Sequence, residues 1–129
     1  MSKYKSQGFG NTFKNARKGF RLVLKSERNI RIHLVVGSFV IALAIIFGFD
    51  VVKFCIILFA IALVIISEML NSAIEFTLDS YYHNKYNKMV GMAKDISAGA
   101  VMLATVVSIV IGCLIFGQEI IGLIIKGAI

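Results

Sequence analysis

The chain has no proline, no tryptophan and only two cysteines, and its seven Asp and Glu residues are outnumbered by fourteen Lys and Arg in 129 residues. Each scarcity excludes something. Without proline there is no Pro/Ser-rich linker, and no low-complexity tract or convincing repeat divides the chain, so a single domain over 1–129 is expected. Cys55 and Cys113 lie in separate apolar runs, with no CxxC spacing and no histidine cluster nearby. They read as small buried hydrophobes rather than a disulfide or metal site. His33 and His83 are isolated and fall near expected membrane edges, so neither is given a role. No G-x-x-x-x-G-K-[ST] run and no kinase-type Gly-rich loop occurs, which excludes the P-loop solution to nucleotide binding.

What is abundant is apolar. The AVILMFWYC set makes up 58% of the chain, and the mean hydropathy is +0.85. A soluble domain of this length needs more polar surface, so a membrane protein is expected. The net charge of +7 is unevenly placed. Nine of the fourteen cations precede Ile32: Lys3, Lys5, Lys14, Arg17, Lys18, Arg21, Lys25, Arg28 and Arg31. Such a segment suits nucleic acid or an anionic membrane surface. With hydrophobic spans following it, the membrane surface is the reading, and no nucleic-acid partner is expected. The segment is too long for a signal-peptide n-region, and no A-x-A-like cleavage site follows.

From about residue 9 to 30 the pattern is that of an amphipathic surface helix. Phe9, Phe13, Ala16, Phe20, Val23 and Leu24 share one face, and Lys14, Arg17, Lys18, Arg21 and Lys25 mostly occupy the rest. Glu27 breaks the pattern. It falls on the apolar face if the helix continues, or points to water if the helix frays; periodicity leaves both open. Three membrane spans are predicted next, at about 32–49, 51–74 and 96–118, the last able to continue to Ile125, with Gly48-Phe49-Asp50 as a tight turn and Lys53 able to snorkel. Tyr81, Tyr82 and Tyr86 suit interfacial depth. The Lys/Arg bias puts the N-terminus and the Lys85/Lys88/Lys94 loop on the cytoplasmic side of a plasma membrane. In the third span, Ala100, Ala104, Ser108 and Gly112 recur at every fourth residue, the mark of a packing seam. Three lone spans hardly enclose a charged site, so a homo-oligomer is expected.

Within the second span and its cytoplasmic extension lie Glu68, Asn71, Glu75 and Asp79, all on one helix face. A charged side chain at mid-bilayer costs about 2.5–3.5 kcal/mol on insertion scales, so such residues have a job and a partner. Glu27 and the Lys94-Asp95 pair come to the same membrane depth. Carboxylates at this spacing can hold Mg²⁺, which takes one or two of them plus substrate phosphates. A further carboxylate can deprotonate an alcohol, and a lysine can hold phosphate. Together these parts describe phosphoryl transfer from a water-soluble donor to a lipid alcohol. An ion- or proton-coupled transporter is the reading of a different class, and a holin-like structural oligomer a third.

The run Glu68-Met-Leu-Asn71-Ser-Ala-Ile-Glu75-Phe-Thr-Leu-Asp79, followed by Ala93-Lys94-Asp95, resembles the signature of the prokaryotic diacylglycerol kinase family. Lys18-Gly19-Phe20-Arg21 and Ser26-Glu27-Arg28-Asn29-Ile30-Arg31 look like its surface-helix motif, and the resemblance covers about Phe9 to Gly112. It implies an all-α integral membrane fold, with a surface helix and three transmembrane helices in a homotrimeric bundle. It implies ATP as co-substrate, Mg²⁺ as cofactor, and a lipid alcohol as acceptor. Carried over by position, it implies Glu68 as general base and Glu27 and Glu75 as Mg²⁺ ligands that also meet ATP. Asn71, Lys94 and Asp95 would contact nucleotide, and Arg31, Asp79 and Ala98 would support the site or meet substrate. Asn15 stands where the Gram-negative branch has a tyrosine, and Ala98 where it has a serine. Glu27-Arg28-Asn29-x-Arg31-x-His33 and Ala93-Lys94-Asp95-x-x-Ala98-Gly99-Ala100-Val101 look like the Gram-positive branch, whose members are similar to undecaprenol kinases. The resemblance therefore implies an undecaprenol kinase of the bacterial plasma membrane, with the same chemistry on diacylglycerol as its alternative.

Overall fold

A computed structural model describes residues 8–83, 85 and 87–127, so Lys3, Lys5 and Tyr86 lie outside the described residues. The chain forms four helices: α1 (Phe9–Ser26), α2 (Arg28–Ile46), α3 (Val51–Tyr82) and α4 (Lys88–Gly127). The last three are long and apolar enough to cross a membrane.

The expected surface helix stops earlier than residue 30. Glu27 adopts extended backbone (φ −102°, ψ 118°) and is at once the C-cap of α1 and the N-cap of α2. It is half-buried, neither on the apolar face of a continuing helix nor at a frayed end. The carbonyls left free at the end of α1 are met from the next helix. Arg31 donates from Nη1 to Leu24 O and Lys25 O, each at 3.1 Å. A guanidinium suits that place, because the C-terminal end of a helix carries partial negative charge.

The turn between α2 and α3 uses Gly48 at φ +66°, where a Cβ is disfavoured. Asp50 then caps α3, its Oδ1 accepting from Val52 N (2.9 Å) and Lys53 N (3.1 Å). The backbone N–H of Lys53 does most to hold the Asp50 carboxyl below its ordinary range; desolvation opposes it, and the Val52 N–H and the Lys53 cation add to the lowering. A lowered carboxyl stabilises the fold above its unfolded pKa, and the gain is lost as pH falls through the lowered folded value.

At about 1.5 Å per residue, α3 is about 48 Å long and exceeds a hydrocarbon core of about 30 Å. Its last turns therefore continue beyond the span as helix. α3 is the central element. It packs on α2 and α4, α1 rests against α2 and α3, and the backbones of α2 and α4 stay apart among the described residues, meeting through the edge-on rings of Phe47, at the end of α2, and Phe116. One stripe of α3 is buried through the middle half of the helix: Ile57, Ala60, Val64, Glu68 and Ser72. On the α2 side, Gly37 brings the backbones close, since a Cβ there would lie 2.8 Å from Ile61 Cγ2. On the α4 side, Ala104 is buried and Ser108 Oγ donates to Ala60 O at 2.9 Å. Part of the small-residue stripe is thus a seam inside the protomer, because α3 is the helix whose backbone α4 approaches.

Two further expectations give way. Lys53 does not simply snorkel. It pairs with Glu119 of α4 and lies 3.7 Å from Asp50. The helix of the third span runs past residue 118 to Gly127, which carries Glu119 alongside α3. Cys55 and Cys113 are exposed rather than buried. Phe39, Phe59 and Leu103 also point outward, as side chains facing lipid would, since tails solvate them as well as a core does.

Ala104→Leu is expected to overpack the α3–α4 seam and destabilise the protomer by about 1–3 kcal/mol. Thermal unfolding in detergent checks this; an unchanged midpoint would mean that residue 104 faces open lipid.

Candidate active site

The buried stripe of α3 changes character without changing direction. Toward the helix N-terminus it is Ile57, Ala60 and Val64; one turn later it is Glu68, then Asn71, Glu75 and Asp79. The polar residues inherit the face that already looks at α2 and α4. Glu68 is 5% exposed, and Asn71, Glu75 and Asp79 are half-buried.

Each has a partner. His33 of α2 places Nε2 at 3.4 Å from Glu68 Oε1. Asn71 Nδ2 donates to Glu75 Oε1 at 3.3 Å, and Asn71 Oδ1 accepts from Ser97 Oγ at 2.6 Å. Both ends of the amide are used, so its orientation is set and one Glu75 oxygen is steered toward it. Lys94 Nζ donates to Asp79 Oδ1 at 2.5 Å, tying the entry of α4 to the end of α3. Beside this pair opens a cleft of about 300 Å³, with Asp79, Tyr82, Lys85, Asn87, Val90 and Lys94 among its walls.

The other candidates lie apart from this line. Asp95 and Ala98 are exposed on α4, on other faces than Lys94 and Ser97. Arg31 is occupied in capping α1. The Glu27 carboxylate makes no hydrogen bond or ion pair with the described residues. Its depth still matches the stripe. It lies six residues before His33 while Glu75 lies seven after Glu68, about 9 and 10 Å along antiparallel helices from one shared contact.

No three His, Cys, Asp or Glu side chains converge on one point among the described residues. Mg²⁺ does not require that, since it usually keeps waters and phosphate oxygens around one or two carboxylates. The free Glu27 carboxylate and the second oxygen of Glu75 are donors of the hard type it takes, so the residues present fit the ion.

Two partners escaped the sequence reading. Ser97 was inconspicuous as one serine among small residues, and His33 was isolated in its own segment. Counting residues outward from the Gly48 turn leaves Glu68 more than one helical turn further out than His33, so the sequence carries no signal that pairs them.

Residues 14–116 match the sequence model of the family described as prokaryotic diacylglycerol kinase. A diacylglycerol kinase of Synechocystis sp. is 32% identical over 105 residues, 81% of this chain but 60% of its own length, so the chain spans under two thirds of that relative. An undecaprenol kinase of Bacillus subtilis is 32% identical over 108 residues, 84% of this chain and 87% of its own length. A diacylglycerol kinase of Escherichia coli is 30% identical over 98 residues, 76% of this chain and 80% of its own length.

Ser97→Ala is expected to cost about 1 kcal/mol and to release Asn71. A double-mutant cycle with Asn71→Ala, read by thermal unfolding, checks this; fully additive losses would show that the contact carries no energy.

Proposed function

Since the chain belongs to the prokaryotic diacylglycerol kinase family, and is thereby a lipid kinase with an alcohol acceptor, we propose that it transfers the γ-phosphoryl group of MgATP to undecaprenol, giving undecaprenyl phosphate. The observation that carries this is the stripe on α3, where a buried carboxylate, Glu68, lies one to three turns from a polar cluster leading to the protein's lysine-bearing end. A lipid hydroxyl reaching in from the apolar side meets Glu68 first. A nucleotide arriving from water meets Lys94, Asp79 and Glu75 first.

In this reading Glu68 accepts the hydroxyl proton as the lipid oxygen attacks the γ-phosphorus. The bond from that phosphorus to the bridging oxygen of ADP breaks, and ADP leaves with the electron pair. Glu27 and Glu75 would hold Mg²⁺, which when bound neutralises charge on the phosphates. Asn71 orients Glu75, and Lys94, held in place by Asp79, would meet the nucleotide, with Asp95 reaching it from the neighbouring, exposed face of α4. Arg31 fixes the end of α1 near Glu27, and Ala98, on the outer face of α4, would meet substrate rather than the polar stripe. Catalysis by such parts is mainly positioning and electrostatics.

The chain works in the plasma membrane of a bacterium, with α1 on the cytoplasmic surface. Phe9 and Phe13 are strongly exposed on α1 and would enter the acyl boundary. A homotrimer would shield the half-open carboxylates from lipid at its interfaces. Undecaprenol is favoured by the likeness of the Glu27–His33 and Ala93–Val101 runs to the Gram-positive branch. Diacylglycerol is the second reading, favoured by the names of the Synechocystis and Escherichia coli relatives.

Transfer of labelled γ-phosphate by the reconstituted protein, with undecaprenol and diacylglycerol side by side, tests the choice. Undecaprenol is expected to be labelled faster, and Glu68→Gln to lower the rate by about 10²- to 10⁴-fold with nucleotide binding retained. Preference for diacylglycerol would reassign the substrate, and an active Glu68→Gln would remove the base.

A further inference from the structure

Glu68 is the most enclosed carboxylate described in the chain, its side chain 6% exposed, and His33 is the ionisable side chain placed against it. We propose that His33 is a positioning residue for Glu68: its Nε2, 3.4 Å from Oε1, closes to an N–H hydrogen bond on that oxygen in the working site, leaving the other carboxylate oxygen free to take the proton of the acceptor alcohol. The inference rests on the reading of Glu68 as the base.

Three features carry it. A carboxylate with no polar neighbour in an apolar site turns among its rotamers and is costly to keep ionised, and a directed N–H donor removes both problems. The approach of the two helices is also fixed. Gly37, one turn after His33 and on the same face of α2, lets the α2 backbone settle onto Ile61 where any Cβ would collide. The imidazole is thus held at its distance by backbone packing rather than by its own long reach. Finally, His33 lines one end of an apolar groove of about 360 Å³ over α3, between α2 and α4, with Val36, Val40, Ile61, Ser108 and Phe116 among its walls. The ring lines that groove and also contacts the carboxylate, which is not itself part of the groove wall. There a donor fixes the base without presenting a fixed charge to an incoming hydrocarbon.

The test uses His33→Leu, which keeps the bulk and removes the donor, and His33→Gln, whose Nε2 reaches a similar point with an amide N–H. His33→Met replaces the leucine variant if that protein is not recovered folded. Steady-state kinetics of the reconstituted protein with MgATP and undecaprenol are expected to show kcat lowered about 10- to 100-fold in His33→Leu, with KM for MgATP unchanged. His33→Gln should stay within about threefold of the parent. In a Glu68→Gln background, His33→Leu should change nothing further. Equal kcat in His33→Leu and the parent would overturn the inference while leaving the base reading intact, provided Glu68→Gln is inactive. Equal losses in His33→Leu and His33→Gln would also overturn it, since shape and not the donor would then matter. An active Glu68→Gln would bring down the base reading itself, and with it this inference.

Discussion

A carboxylate beside hydrocarbon can persist only where something polar is within reach, and the geometry of this chain follows from meeting that demand along one face of one helix. α3 carries an apolar seam and a polar site on the same stripe, the first becoming the second at Glu68. The features that press α2 and α4 onto the seam, Gly37 against Ile61 and Ser108 onto Ala60, set where His33, Ser97 and Lys94 arrive. Packing and site are therefore not separable. A change that lifts a neighbouring helix strips partners from the polar stripe as well.

The two flanking helices make unlike contributions. α4 brings neutral or cationic groups, Ser97 and Lys94, that meet the stripe through short hydrogen bonds. α2 brings His33 at 3.4 Å and begins at Glu27, whose extended backbone frees a carboxylate from any helix face. The first side resembles a scaffold, fully bonded. The second holds the looser groups, which is where a reaction involving proton transfer and a metal-bound phosphate needs room to work.

Much of this was legible from residue types and spacing. The period of Glu68, Asn71, Glu75 and Asp79 marks one helix face, and the hydropathy of the three later segments marks long helices, since both properties repeat locally along the chain. Contacts between helices were less legible. Whether Lys53 snorkels or pairs depends on how far α4 runs, and whether His33 is idle or meets Glu68 depends on the register of α2 on α3. Glu27 illustrates a third limit. Periodicity places a residue on a helix face only while the helix continues, and here the helix ends one residue earlier.

The polar partners of α3 also have an order in the chain. His33 precedes Glu68, and Asp50 lies three residues before Lys53, whereas Lys94, Ser97 and Glu119 all follow α3. As synthesis proceeds, the most enclosed carboxylate enters the bilayer with its neighbour already made, and the one lysine of α3 has a local anion to wait with. The groups left to be satisfied last, Asn71 and Asp79, are those toward the end of α3, where water remains close. The order of residues thus matches the order in which a growing chain leaves water, sparing the ribosome-bound intermediate its costliest unpaired charge.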